Sequence, residues 1–145
     1  PETKLNKRGE GMAKILAVDD SASMRQMVSF TLKGAGHDIT EAVDGVQALQ
    51  LAKTMSVDVV LTDVNMPNMD GIELIRKLST SRYEGAVVIL SALDEKILLL
   101  AEQITSSLRI RLMGSISKPI DREKVKTILQ KMKTRALMML IAIPS

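Results

Sequence analysis

The sequence predicts an α/β domain: a doubly wound parallel sheet built from five β/α units. Three observations predict it. Short apolar runs alternate with longer amphipathic ones along most of the chain. The run Val57 to Thr62 is almost wholly apolar, as a central parallel strand covered on both faces must be. A chain of 145 residues, 46% hydrophobic, suits one domain with one sizeable core.

The first strand is expected at Lys14 to Val18. A helix opens near Ser21 with Met24, Met27, Val28, Thr31 and Leu32 at helical spacing, and Gly34 and Gly36 stop it. A short strand around Asp38 to Glu41 leads into a helix from Gly45 to about Met55, with Val46, Leu49 and Ala52 on one face. After the strand Val57 to Thr62, Asp70 caps a helix carrying Ile72, Leu74, Ile75 and Leu78. The fourth unit is the strand Ala86 to Leu90 and a helix from Asp94 to about Leu108. The fifth is the strand Arg111 to Ser117 and a helix capped by Asp121, with Val125, Ile128, Leu129 and Met132 inward.

Composition excludes several classes of function. The chain has no cysteine, so disulfide frameworks and thiolate metal sites are ruled out, and a reducing, cytoplasmic location is expected. Its longest apolar stretches fall short of the roughly 20 residues that a membrane-spanning helix needs. The net charge of +3 comes from the C-terminal part, where Arg122, Lys124, Lys126, Lys131, Lys133 and Arg135 read as the solvated face of one helix. With Phe30 and Tyr83 as its whole complement of aromatics, the chain lacks a nucleic-acid stripe. The methionines read as core filling and His37, the sole histidine, as a surface residue.

Ligands of an open parallel sheet bind beyond the carboxyl ends of its strands. The residues that follow the expected strands are Asp19 and Asp20, Asp63, Ser91 and Lys118. Three carboxylates, a hydroxyl and an ammonium at one edge suit phosphoryl transfer to a carboxylate. Clustered carboxylates repel each other by about 4 kcal/mol per pair at about 4 Å in an effective dielectric near 20, so the site calls for a cation. All-oxygen ligation with room for water suits Mg²⁺.

The segments Ile15 to Asp20, Leu61 to Gly71, Ile89 to Ala92 and Ser117 to Pro119 resemble, in order, the four signatures of response-regulator receiver domains, the CheY-like family. The likeness runs from Met12 to about Met132. It implies a flavodoxin-like (βα)5 fold with strand order 2-1-3-4-5. It also implies a signalling switch in a two-component system, catalysing only its own phosphorylation and dephosphorylation. Asp63 would be the phosphoacceptor. Asp19, Asp20, Asp63 and the Asn65 backbone carbonyl would hold Mg²⁺, Ser91 and Lys118 would contact the phosphoryl group, and Asn65 and Leu93 would tune its lifetime. The implied partners are a histidine kinase or phosphotransfer protein and a downstream effector or fused output domain. Direct nucleic-acid or membrane contact is not expected, and a homodimer stays open. Residues 85–120 resemble receivers fused to cyclic-dinucleotide phosphodiesterase domains.

Two other classes are less well matched. A pseudo-receiver, an interaction module working without phosphorylation, would be favoured by loss of Asp63 or Lys118, and both are present. A haloacid-dehalogenase-like phosphatase wants a second aspartate two residues after its nucleophile, where Asn65 stands. The chain also departs from the receiver pattern. Ser115 stands where receivers commonly carry an aromatic, Ile120 replaces another, and the interval from Ser91 to Lys118 is enlarged, with the extra length expected within Gln103 to Leu112. Domain organisation is expected to be a disordered leader or appended remnant at 1–11, a receiver unit at 12–135, and an apolar tail or linker at 136–145.

Overall fold

The computed structural model describes residues 12–91, 111–117, 121, 123–128 and the single positions 99, 103 and 130. Its elements in order are β1 (Lys14–Val18), α1 (Ala22–Gly34), β2 (Asp38–Ala42), α2 (Gly45–Thr54), β3 (Val59–Asp63), α3 (Gly71–Thr80), β4 (Ala86–Ser91) and β5 (Arg111–Ser117). Residues 123–128 are helical, as are the single positions 99, 103 and 130. The strands form one parallel sheet in the order β2-β1-β3-β4-β5. This is the flavodoxin-like order that the sequence implied.

Strand residues alternate between two cores, as the two-residue period of a pleated strand requires. Ile15, Ala17, Val59, Leu61, Val88 and Leu90 face a layer that includes Val28 and Leu32 of α1 and Val125 and Ile128 of the C-terminal helical segment. Leu16, Val18, Val60, Val87 and Ile89 face Ala48 of α2 and Leu74, Ile75 and Leu78 of α3. Each helix has a local reason to begin where it does. Ser21, Asp44, Asp70 and Asp121 accept from the backbone N–H groups of Met24, Gln47, Glu73 and Lys124, at 3.4, 2.8, 2.8 and 2.9 Å.

Several sequence expectations shift. Gly34 is the last residue of α1, and Gly36, at φ 93°, is the residue that ends it. The His37 N–H reaches back to the Leu32 carbonyl and the Gly36 N–H to that of Lys33, closing a Schellman turn. The inward stripe of α1 runs through Val28, Ser29 and Leu32, which turns Met27 to solvent. In α2 the small residues Gly45 and Ala48 face the core and Val46 is exposed. Val57 precedes β3, which runs on through Asp63, and β4 likewise includes Ser91. His37 is half-buried, its Nδ1 accepting the Ala13 N–H at 3.0 Å, which ties the starts of β1 and β2 together.

The strand pairing of β5 contains one irregularity. Leu112 lies opposite Val87 and Gly114 opposite Val88, so Met113 is the extra residue of a β-bulge. The bulge takes up one residue of the enlarged interval before Lys118. The expected helix from Asp94 to Leu108 lies largely outside the described residues, with Leu99 and Gln103 helical. Leu129, Met132 and the segments 1–11 and 136–145 also lie outside them. No helix among the described residues is long and apolar enough to cross a membrane.

The start of α3 approaches β3 so closely that only glycine fits. A Cβ on Gly71 would lie 2.5 Å from the Asp63 carbonyl oxygen and 2.9 Å from Val64 Cα, both backbone atoms. The Gly71 N–H donates to the Val64 carbonyl at 2.9 Å across this contact. Gly71→Ala is therefore expected to destabilise the protein by about 1–3 kcal/mol, as overpacking against backbone does. Urea denaturation of the two proteins measures it.

Candidate functional site

The site is assembled by strand register. Val18 lies opposite Thr62, Asp63 opposite Leu90, and Ser91 opposite Ser117. Asp19, one residue beyond β1, therefore stands beside Asp63, the last residue of β3. Ser91 ends β4, and Ser117, its β5 partner, directly precedes Lys118 in the chain. Asp20 follows Asp19 and leads through the Ser21 cap into α1.

Asp19 is 2% exposed, Asp20 is exposed and Asp63 is half-buried. Each offers a carboxylate oxygen, and these three oxygens lie within 4.8 Å of one another. Asp19 is held at several points: its N–H donates to the Ala42 carbonyl at 3.2 Å, its Oδ1 accepts the Ser21 N–H at 3.0 Å, and its carbonyl accepts Arg25 Nη1 at 2.8 Å. Asp63 Oδ1 accepts the Asn65 N–H at 3.3 Å, which folds the loop after β3 back over the carboxylate. The Asp63 carbonyl accepts the hydroxyl of the fully buried Thr62 at 2.8 Å, so its carboxylate sits on a fixed backbone.

Three carboxylate oxygens this close suit a hard divalent cation. Oxygen donors on short side chains, with one carboxylate open to water, match an ion that keeps part of its hydration shell, as Mg²⁺ does. Among the described residues the candidate ligands are thus Asp19, Asp20 and Asp63, with Asn65 adjacent. The structure brings Asp19, Asp20 and Asp63 together at the strand-end edge, with Asn65 donating to Asp63. Lys118 and Leu93 lie outside the described residues, and Ser91 is placed by its strand. The sequence reading missed Arg25, Glu41 and Thr62. Arg25 carried a usable signal: it stands three and seven residues before Val28 and Leu32, on the inward stripe of α1, where a charged side chain needs a partner.

A five-stranded doubly wound parallel sheet with an acidic triad at its carboxyl edge defines a flavodoxin-like domain with a candidate cation site. Residues 15–130 match the model of the response regulator receiver domain. The chain belongs to that family. It is 36% identical over 115 residues to the chemotaxis protein CheY of Treponema pallidum, covering 77% of this chain and 76% of that one. It is 36% identical over 83 residues to the alkaline phosphatase synthesis transcriptional regulatory protein PhoP of Bacillus subtilis, covering 57% of this chain but 35% of PhoP. Among solved structures, the chemotaxis protein CheY4 of Vibrio cholerae superposes with a TM-score of 0.70 at 36% identity, covering 83% of this chain and 98% of that one. The family makes this a receiver of two-component signalling, a switch rather than a conventional enzyme.

Packing three carboxylates together costs stability that a bound cation would restore. Asp20→Ala is expected to raise the melting temperature in chelator, by relieving repulsion, and to remove the stabilisation that Mg²⁺ gives the parent protein. Thermal melts with and without Mg²⁺ read both effects.

Proposed function

We propose that this chain is the phosphoacceptor domain of a two-component system, taking a phosphoryl group onto Asp63 in a Mg²⁺-dependent reaction. The observation that carries the reading is the convergence of Asp19, Asp20 and Asp63, with carboxylate oxygens within 4.8 Å, in a member of the receiver family. The donor is a phosphohistidine on a histidine kinase or phosphotransfer protein. A carboxylate oxygen of Asp63 attacks the phosphorus in line. The new O–P bond forms as the P–N bond breaks, and the electron pair returns to the imidazole, which takes up a proton.

Asp19, Asp20, Asp63 and the Asn65 carbonyl hold Mg²⁺ in this reading. The ion supplies neutralisation of the phosphoryl charge and a template for in-line transfer. Ser91 and Lys118 contact the remaining phosphoryl oxygens, supported by the pairing of Ser91 with Ser117 one position beyond Asp63 and Leu90. Side chains at Asn65 and Leu93 tune the lifetime of the acyl phosphate, and the apolar Leu93 cannot orient an attacking water, which makes self-dephosphorylation slow. The unit at 12–135 works in the cytoplasm and passes its state to a separate effector or a fused output domain, for which the likeness of residues 85–120 favours a cyclic-dinucleotide phosphodiesterase.

Incubation with acetyl phosphate and Mg²⁺ is expected to add a single phosphoryl group, seen by intact mass and removed by hydroxylamine as an acyl phosphate. Asp63→Asn should take up none. Equal labelling of that variant would overturn the assignment.

A further inference from the structure

Behind the acidic edge lies a cation with no part in the proposed transfer. Arg25 sits in the first turns of α1 with its side chain 14% exposed. Its Nη1 donates to the Asp19 carbonyl oxygen at 2.8 Å, and its Nε donates to Glu41 Oε1 on β2 at 3.0 Å. A planar guanidinium engages two acceptors from fixed directions at once, which a lysine ammonium on its flexible stem does not reproduce. Glu41, 35% exposed, both neutralises the cation and sets the plane of its fork.

The acceptor matters. The Asp19 carbonyl belongs to the peptide that joins Asp19 to Asp20, and a peptide is rigid and planar. Fixing its oxygen fixes the direction in which the Asp20 Cα leaves Asp19. The same residue is anchored on its other side by the bond from its N–H to Ala42, the neighbour of Glu41 on β2. The backbone on the two sides of Asp19 is therefore held from β2, at its N–H, and from α1, at the carbonyl it shares with the Asp20 peptide.

We propose that Arg25, oriented by Glu41, is a positioning residue for the cation site: it locks the Asp19–Asp20 peptide so that both carboxylates are arranged before the ion arrives. This rests on the reading that the acidic edge binds Mg²⁺. Two physical effects of Arg25 have opposite signs. As a nearby positive charge it opposes a divalent cation, so charge alone makes its removal tighten binding. As a clamp it aids binding, so its removal weakens it.

The test measures Mg²⁺ and Ca²⁺ affinity by calorimetry in the full chain for the parent, Arg25→Lys, Arg25→Gln and Glu41→Gln, with circular dichroism melts confirming that each folds. Loss of an outer-shell partner typically costs about 10–100-fold in metal affinity. Arg25→Lys and Arg25→Gln are expected to weaken Mg²⁺ by at least about 10-fold, and Glu41→Gln to weaken it less. Mg²⁺ demands near-ideal octahedral geometry whereas Ca²⁺ tolerates irregular sites. The loss should therefore be much larger for Mg²⁺ than for Ca²⁺, a selectivity that simple destabilisation does not produce. Unchanged or tighter Mg²⁺ binding in folded Arg25→Lys and Arg25→Gln, or equal loss for both ions, would overturn the clamp. Failure of the parent to bind Mg²⁺ would instead overturn the site reading on which the clamp rests.

Discussion

The register of β1 against β3 is the constraint on which the rest depends. Because Val18 is opposite Thr62, the next residue of each chain segment is an aspartate, and the two carboxylates meet at one sheet edge. A slip of one residue would exchange the faces of every side chain on the strand. Here that slip would also bury Asp19 or Asp63 in an apolar layer. The two cores hold the register, since Leu16 and Val18 belong to one and Ile15 and Ala17 to the other. Core packing and site assembly are thus one selection made twice on the same strands.

That edge concentrates negative charge, and the fold offsets it in several ways. In each β/α unit the strand feeds the N-terminus of the following helix, so α1, α2 and α3 open at the carboxyl edge with their caps at Ser21, Asp44 and Asp70. Their exposed N–H groups and dipoles favour negative charge there. Backbone N–H groups of Ser21 and Asn65 donate directly to Asp19 and Asp63. Arg25 adds a full positive charge behind the cluster. Such devices lower the repulsion among the carboxylates but leave an arrangement that a divalent cation would complete.

Most of the fold was legible because its signals are local. The strands β1 and β5 run as the sequence predicts, and Ser21, Asp70 and Asp121 cap helices for the reason their side chains advertise. What was not legible depends on tertiary contact. Helical spacing in α1 groups Met27 with Val28 and Leu32, yet Arg25 and Ser29 lie on the buried stripe and Met27 is exposed. Val46 is exposed because the core beside α2 admits small residues: a Cβ on Gly45 would already meet Met69 within 3.0 Å. His37 becomes half-buried through a partner 24 residues away, a contact that no local pattern announces. The candidate carboxylates were legible because parallel sheets always present the residues after their strands. The clamp that orients them was not, because it joins a helix, a loop and the edge strand β2.

One departure from the receiver pattern, Ser115, lies on β5 close to the bulge. Met113 has no partner position on β4, and an extra residue of this kind generally bends a strand and increases its local twist. Two residues further on, Ser115 lies opposite Ile89, at the position where the sequence resemblance implied an aromatic. A phosphoryl group shifts a conformational balance only through contacts that differ between two states. A serine has little surface with which to distinguish two states, so in the proposed phosphoryl switch the discrimination would come from groups closer to Asp63 and from the segments that those groups contact.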